Sequence, residues 1–318
     1  MSGRPAVVQD AAIALIAVTA VAAVAVLGDN YVVRLATTLF LYASLALSWN
    51  LIGGYAGYPS FATAAFFGLG AYANGVLQAA GLPFAVAWIG VAGIAAVCGA
   101  LLGFCILHLR GHYFAIASLV VGDVLREIVN SWTSLTGGGM GMNLPLIAFS
   151  ADMQARFFMG GFFGLALAAF LVARLIDRRP LGFTLRCIEQ NDTAAAMLGA
   201  DTRFAKSAAF TIACIFAGAA GAIYASWVSY IDPTDVFDVL YSVKPIIMAL
   251  LGGIGTVTGP VIGAVVFLGL EELFWRNFLE THEGVLGLLV VLLVLFLPDG
   301  IHRLLTIGRH RTWRAAAS

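Results

Sequence analysis

Residues 84–107 read Phe84-Ala-Val-Ala-Trp-Ile-Gly-Val-Ala-Gly-Ile-Ala-Ala-Val-Cys-Gly-Ala-Leu-Leu-Gly-Phe-Cys-Ile-Leu107. The stretch carries no charge and exceeds the roughly 20 apolar residues with which an α-helix crosses a hydrocarbon core. Runs of the same kind lie at about 11–27, 35–52, 61–80, 113–130, 157–176, 207–228, 243–257, 259–275 and 285–298. The expected fold is an all-α polytopic membrane protein with about ten transmembrane helices and helix-interrupting Gly-rich segments.

Composition points the same way. Of 318 residues, 61% are hydrophobic and 11% charged, against about 25% charged in a soluble domain. An ordinary soluble enzyme is excluded, and the spans leave no length for a second, water-soluble domain. With 17 basic and 17 acidic residues the net charge is zero, so no nucleic acid is expected as a partner. Cys98, Cys105, Cys187 and Cys214 form no C-x-x-C pair, and His108 and His112 flank Arg110 and Gly111 at a membrane edge. No metal and no cofactor are expected in this chain. A phosphate-binding loop needs G-x-x-x-x-G-K-[ST]. The only Lys-Ser pair, Lys206-Ser207, has alanines at both glycine positions, Ala200 and Ala205, and Lys244 precedes Pro245.

The charges are informative by position. Ten spans put both termini on one side. That side would receive Arg4, Arg110, Arg174, Arg178, Arg179, Arg186, Arg203, Lys206, Arg303, Arg309, Arg311 and Arg314, while the other keeps Arg34, Arg156 and Arg276. Arg126 and Lys244 fall in or beside spans. Basic residues favour the cytoplasm, so both termini, and a basic tail at 299–318, are expected there. The first run resembles a signal peptide with a cleavage site at Ala23-Val24-Ala25; an uncleaved anchor is the expectation.

Three features stand out against this frame. The loop at 177–206 is the longest polar stretch on the cytoplasmic side, with Asn191, Asp192 and Thr193 available to cap the alanine run and Gly199 to end it. Both a docking element and a helical linker resting on headgroups fit that composition. Two segments, Gly53-Gly54-Tyr-Ala-Gly57-Tyr-Pro59-Ser60 and Gly252-Gly253-Ile-Gly255-Thr-Val-Thr-Gly259-Pro260, interrupt helices. They either line a translocation path or make tight turns at the interface. Asp123, Arg126 and Glu127 share one side of a helix and either line the path or form a structural ion pair. Gly68, Gly70, Gly218 and Gly221 suit close helix packing. Glu271 and Glu272 fit a solvated external interface or a contact with a binding protein. The main external loops are 131–142 and 231–238, both too short for a high-affinity receptor.

Several pieces together carry a family resemblance over roughly 40–300: Leu51-Ile-Gly-Gly-Tyr-Ala-Gly57, Ala64-Ala-Phe-Phe-Gly-Leu-Gly-Ala-Tyr72, Leu109-Arg-Gly-His-Tyr-Phe-Ala-Ile116, Ser134-Leu-Thr-Gly-Gly138, Ala194-Ala-Ala-Met-Leu-Gly199 and Leu250-Leu-Gly-Gly-Ile-Gly-Thr-Val-Thr-Gly-Pro260. In their order and spacing the chain resembles the membrane permease of branched-chain amino acid ABC importers of the LIV-M type, a family that includes urea-system permeases. The resemblance implies a single ABC importer permease domain over 1–318 in the bacterial inner membrane, importing a branched-chain or related amino acid. It also implies ATP used by two cytoplasmic ATPase subunits, a homologous second permease and a periplasmic solute-binding protein. By resemblance, 177–206 is the coupling loop, with Ala194, Ala195 and Gly199 on the family's pattern of two alanines and a glycine. Thr193 stands where that pattern has Glu, so Glu189 or Asp192 would supply the carboxylate. Alternatives are a urea or sugar ABC permease of the same fold, or an ion-coupled secondary transporter in which Asp123 and Glu127 carry protons.

Overall fold

The computed structural model describes residues 28–277, apart from Arg110 and 146–148, together with Gly287. The runs expected at 11–27 and 285–298, Ala23-Val24-Ala25, Arg4 and the tail at 299–318 lie outside the described residues. The described chain runs α1 (Asn30–Ile52), α2 (Ala62–Ala79), α3 (Phe84–Ile106), α4 (His112–Ser131), α5 (Thr133–Thr136), β1 (Met142–Asn143), α6 (Ala151–Asp177), α7 (Pro180–Met197), α8 (Thr202–Val228), β2 (Tyr230–Ile231), α9 (Pro233–Val236), α10 (Leu240–Gly252) and α11 (Gly259–Asn277). It is an all-α membrane architecture in which α1, α3, α6 and α8 are each long and apolar enough to cross a bilayer.

One expected span is corrected. The run at 243–257 is helical only to Gly252, after a start at Leu240. Gly253 takes φ +124, outside any helical region, so residues 253–258 turn the chain into α11. Hydropathy alone does not register that break, because the residues after Gly253 remain largely apolar.

α8 is the central helix, packed on α2, α3 and α1, while α6 and the α10–α11 pair also pack on α1. Small residues allow the tight crossing of α2 and α8: a Cβ on Gly70 would lie 2.0 Å from the Gly218 carbonyl oxygen, and one on Gly221 1.9 Å from that of Phe67. A buried polar cluster locks the same crossing. Asn74 Nδ2 donates to the Ala222 carbonyl at 2.9 Å, and Gln78 Nε2 and Trp88 Nε1 donate to Ser226 Oγ at 3.0 and 3.2 Å. Such hydrogen bonds hold helices together where lipid supplies no hydrophobic drive.

The two ends of the bundle differ. Arg174, Arg178, Arg179, Arg186, Arg203 and Lys206 gather where α6 ends and α8 begins, whereas Arg34 and Arg156 lie at the opposite ends of α1 and α6. At that opposite end the segments expected as separate loops are joined: β1 and β2 pair antiparallel, Met142 with Ile231 and Asn143 with Tyr230.

Candidate coupling site

At the basic end, residues 177–206 form a short helical layer built by local signals. Pro180 opens α7 at a position where no amide donor is needed. Asn191 is extended (φ −161, ψ 106) and divides α7 into two helical pieces. Its Oδ1 accepts from the Ala194 amide at 3.0 Å, capping the second piece. That piece ends with the Gly199 amide on the Ala196 carbonyl and the Ala200 amide on that of Ala195, with Gly199 at φ +85, a Schellman ending. Asp201 then caps α8 through the Phe204 amide at 3.0 Å.

The inner face of α7 carries Gly182, Leu185, Ile188 and Ala195. It rests on the turn after α1, the first of the two Gly-rich segments. Two tyrosines of that turn grip α7 at separate places. Tyr58 Oη meets Asp192 Oδ2 at 3.3 Å, and Lys206 Nζ completes the cluster at 3.0 Å from both, with its ammonium 4.9 Å from the Tyr58 ring centre. Tyr55 Oη meets Asp177 Oδ1 at 3.4 Å; Arg186 pairs with the same carboxylate and lies over the Tyr55 ring. Burial, and then the charge of Asp177, pushes the Tyr55 phenol up to about 12. Between the tyrosines Gly57 adopts φ +71 directly under Glu189, whose Cγ would stand 3.1 Å from a Cβ there.

The expected coupling residues therefore divide. Asp192 is turned inward to Lys206, and Ala195 is buried. Glu189, Thr193, Ala194 and Gly199 face outward. The end of α7 is also apolar and exposed, Met197 83% and Leu198 85%, and Phe183 and Phe204 are exposed as well. Sequence reasoning missed Tyr55, Tyr58, Gly182 and the pairing of Lys206. The available signal was a lysine embedded in the apolar start of α8, which needs a partner.

The two Gly-rich segments are turns at helix ends, and they touch. Asn50 Oδ1 accepts from the Gly255 amide at 2.9 Å while its Nδ2 donates to the Thr256 carbonyl at 2.8 Å. Gly53, Gly54, Gly252 and Gly253 are buried there. Asp123, Arg126 and Glu127 stand apart, on the outer side of α4, with Arg126 3.2 Å from Asp123. Glu271 is engaged by Lys244 at 2.8 Å, and Glu272 accepts from Tyr31.

Comparison with known proteins gives this arrangement a family. The family described as "Branched-chain amino acid transport system / permease component" matches residues 31–297. The chain belongs to that family. The permease is 32% identical over 302 residues to the high-affinity branched-chain amino acid transport system permease protein LivM of Escherichia coli, covering 85% of this chain and 69% of that one. It is 25% identical to the permease protein LivH of the same strain, covering 82% and 90%. It is 22% identical to a probable LivM of Methanocaldococcus jannaschii, covering 82% and 90%. No solved structure matches the chain. Family and apolar helices together make this permease a multi-pass protein of the bacterial inner membrane.

Proposed function

We propose that this chain is the membrane-spanning subunit of an ATP-driven importer of branched-chain or related amino acids. In this reading residues 1–318 form one permease domain of ten spans with both termini, and the basic tail at 299–318, in the cytoplasm. The accumulation of arginines around α7 supports that orientation. A second homologous permease, two ATPase subunits and a periplasmic binding protein complete the complex; the likeness to both LivM and LivH of one strain supports two permeases. ATP is used by the partners.

The observation that carries the reading is α7: an exposed apolar tip at Met197 and Leu198 on a helix held to the turn between α1 and α2 at two points, Asp192 at the Tyr58 hydroxyl and Arg186 over the Tyr55 ring. A motor subunit seated on that tip moves α7, and Tyr55 and Tyr58 pass the movement to α1 and α2. The Asn50 bridge extends it to the α10–α11 turn. The permease reconstituted with its partners should take up amino acid only with ATP present. Uptake by the purified chain on a proton or sodium gradient alone would overturn the proposal in favour of a secondary transporter.

A further inference from the structure

The N-terminal half of α1 presents Tyr31, Arg34, Thr38 and Tyr42 at spacings of three and four, one face of the helix. That face is not packed shut. Lys244 of α10 and Glu271 and Glu272 of α11 line the same space, a cavity of about 320 Å³, within the range of small-molecule sites, about 300–1,000 Å³. Tyr31 donates to Glu272, so the cavity lies at the end where α1 begins. The Asn50 bridge joins the two walls at their far ends, beside the seat of α7.

The cavity holds two cations and two carboxylates, and only half of them are committed. Lys244 pairs with Glu271 at 2.8 Å, with its ammonium 5.4 Å from the centre of the Tyr42 ring. Arg34 and Glu272 have no ion-pair partner among the described residues. Arg34 follows Tyr31 by three residues, so it stands one turn from the Tyr31–Glu272 contact on the same face. A simple anion on Arg34 would meet the Glu272 carboxylate beside it, and a simple cation on Glu272 would meet the guanidinium. A small molecule carrying both charges satisfies both groups. Leu35 and Leu268 supply an apolar wall in the same lining. The cavity at the start of α8 also contains both signs of charge, but there Asp192 is held by Lys206 and Asp201 caps the helix.

We propose that the cavity between α1 and α10–α11 receives the transported amino acid as its zwitterion. The Arg34 guanidinium takes the carboxylate with its fork of N–H donors, Glu272 takes the ammonium, and Leu35 and Leu268 face the branched side chain. The inference rests on the amino-acid importer reading and adds the site that the cargo occupies. Since α1 and α11 form its walls and are bridged at the coupling end, movement of α7 changes the separation of Arg34 and Glu272 and with it the hold on the zwitterion.

The test uses the complete transporter with Cys98, Cys105, Cys187 and Cys214 replaced by alanine and Thr38→Cys as the one thiol of this chain, labelled by a water-soluble methanethiosulfonate. Leucine, raised to its solubility limit, should slow labelling several-fold. Isocaproate, which lacks the ammonium, and leucinamide, which lacks the carboxylate, should not. Adding Arg34→Gln or Glu272→Gln should remove the protection at unchanged melting temperature and membrane level, and Arg34→Lys should keep part of it. Labelling that leucine does not slow, or a thiol that the reagent does not reach, would overturn the proposal. So would equal protection by isocaproate, which marks a plain carboxylate site, or protection that survives both glutamine variants. Protection lost only together with melting temperature in both variants would also overturn it, as the mark of structural roles. ATP-driven leucine uptake is scored on the cysteine-free parent. Uptake without protection counts against this site only, and protection without uptake counts against the importer reading only.

Discussion

Lys206 Nζ lies 3.0 Å from Asp192 Oδ2, with only 5% of the lysine side chain and 12% of the aspartate side chain exposed. The pair joins the second turn of α8 to the second piece of α7, and the Tyr58 hydroxyl lies within hydrogen-bonding distance of both. A pair removed this far from water is stabilising mainly in that neither member can be left alone. Lys206→Met should therefore cost about 3–5 kcal/mol, read as a lower melting temperature in detergent, and Asp192→Leu should behave similarly. Lys206→Met combined with Asp192→Leu should recover most of the loss. A double variant as unstable as the sum of the singles would show that the two side chains do not act as a unit.

Gly57 illustrates a different constraint on the same seat. Its φ of +71 is reached by asparagine at small cost and by a β-branched residue only under strain. The nearby Glu189 Cγ also restricts the space for a side chain. Melting temperatures should fall in the order wild type, Gly57→Asn, Gly57→Val, with the valine variant down by about 1–2 kcal/mol or more. Equal melting of the asparagine and valine variants would argue against the left-handed turn.

The membrane architecture and the caps of α7 were legible in the sequence because both are local. A charge-free run such as 84–107 needs no tertiary information, and Asn191 and Gly199 act on amides a few positions away. The clamp was not legible: Tyr58 and Asp192 are 134 positions apart, and the pattern of two alanines and a glycine says nothing about which alanine faces inward. The pairing of β1 with β2 escaped for the same reason, since two-residue strands carry no periodicity. The break at Gly252–Pro260 was legible from its glycines, whereas the apolar run at 243–257 overshot it because Gly253 ends the helix by its backbone, not by its polarity.

Glycines of the α2–α8 crossing should separate sharply from those facing open space. Gly221→Val places carbon against the Phe67 carbonyl oxygen, 1.9 Å from an ideal Cβ, with backbone on both sides. Folded yield in the membrane should be largely lost. Gly164, inside α6, has nothing within 4 Å of an added Cβ, so Gly164→Ala should be neutral or gain up to about 1 kcal/mol through helix propensity. Comparable yields of the two variants would mean that the helices do not approach as closely as described.

The division of the alanine run into inward and outward residues yields the most discriminating pair of substitutions at the coupling site. Ala195 is buried against the bundle, so Ala195→Glu forces an unpartnered carboxylate into the seat. It should lower melting temperature and membrane yield together. Leu198 is 85% exposed, and Leu198→Glu removes apolar surface only from the outer tip. That variant should insert and melt like wild type while transport, and co-purification of the ATPase subunits, falls at least tenfold. The contrast follows from geometry: a helix that transmits force needs one face fixed to the permease and the other free for the motor. Normal uptake by Leu198→Glu would remove the tip from the docking surface, whereas a wild-type melting temperature for Ala195→Glu would mean that α7 is not held down where Ala195 meets the bundle.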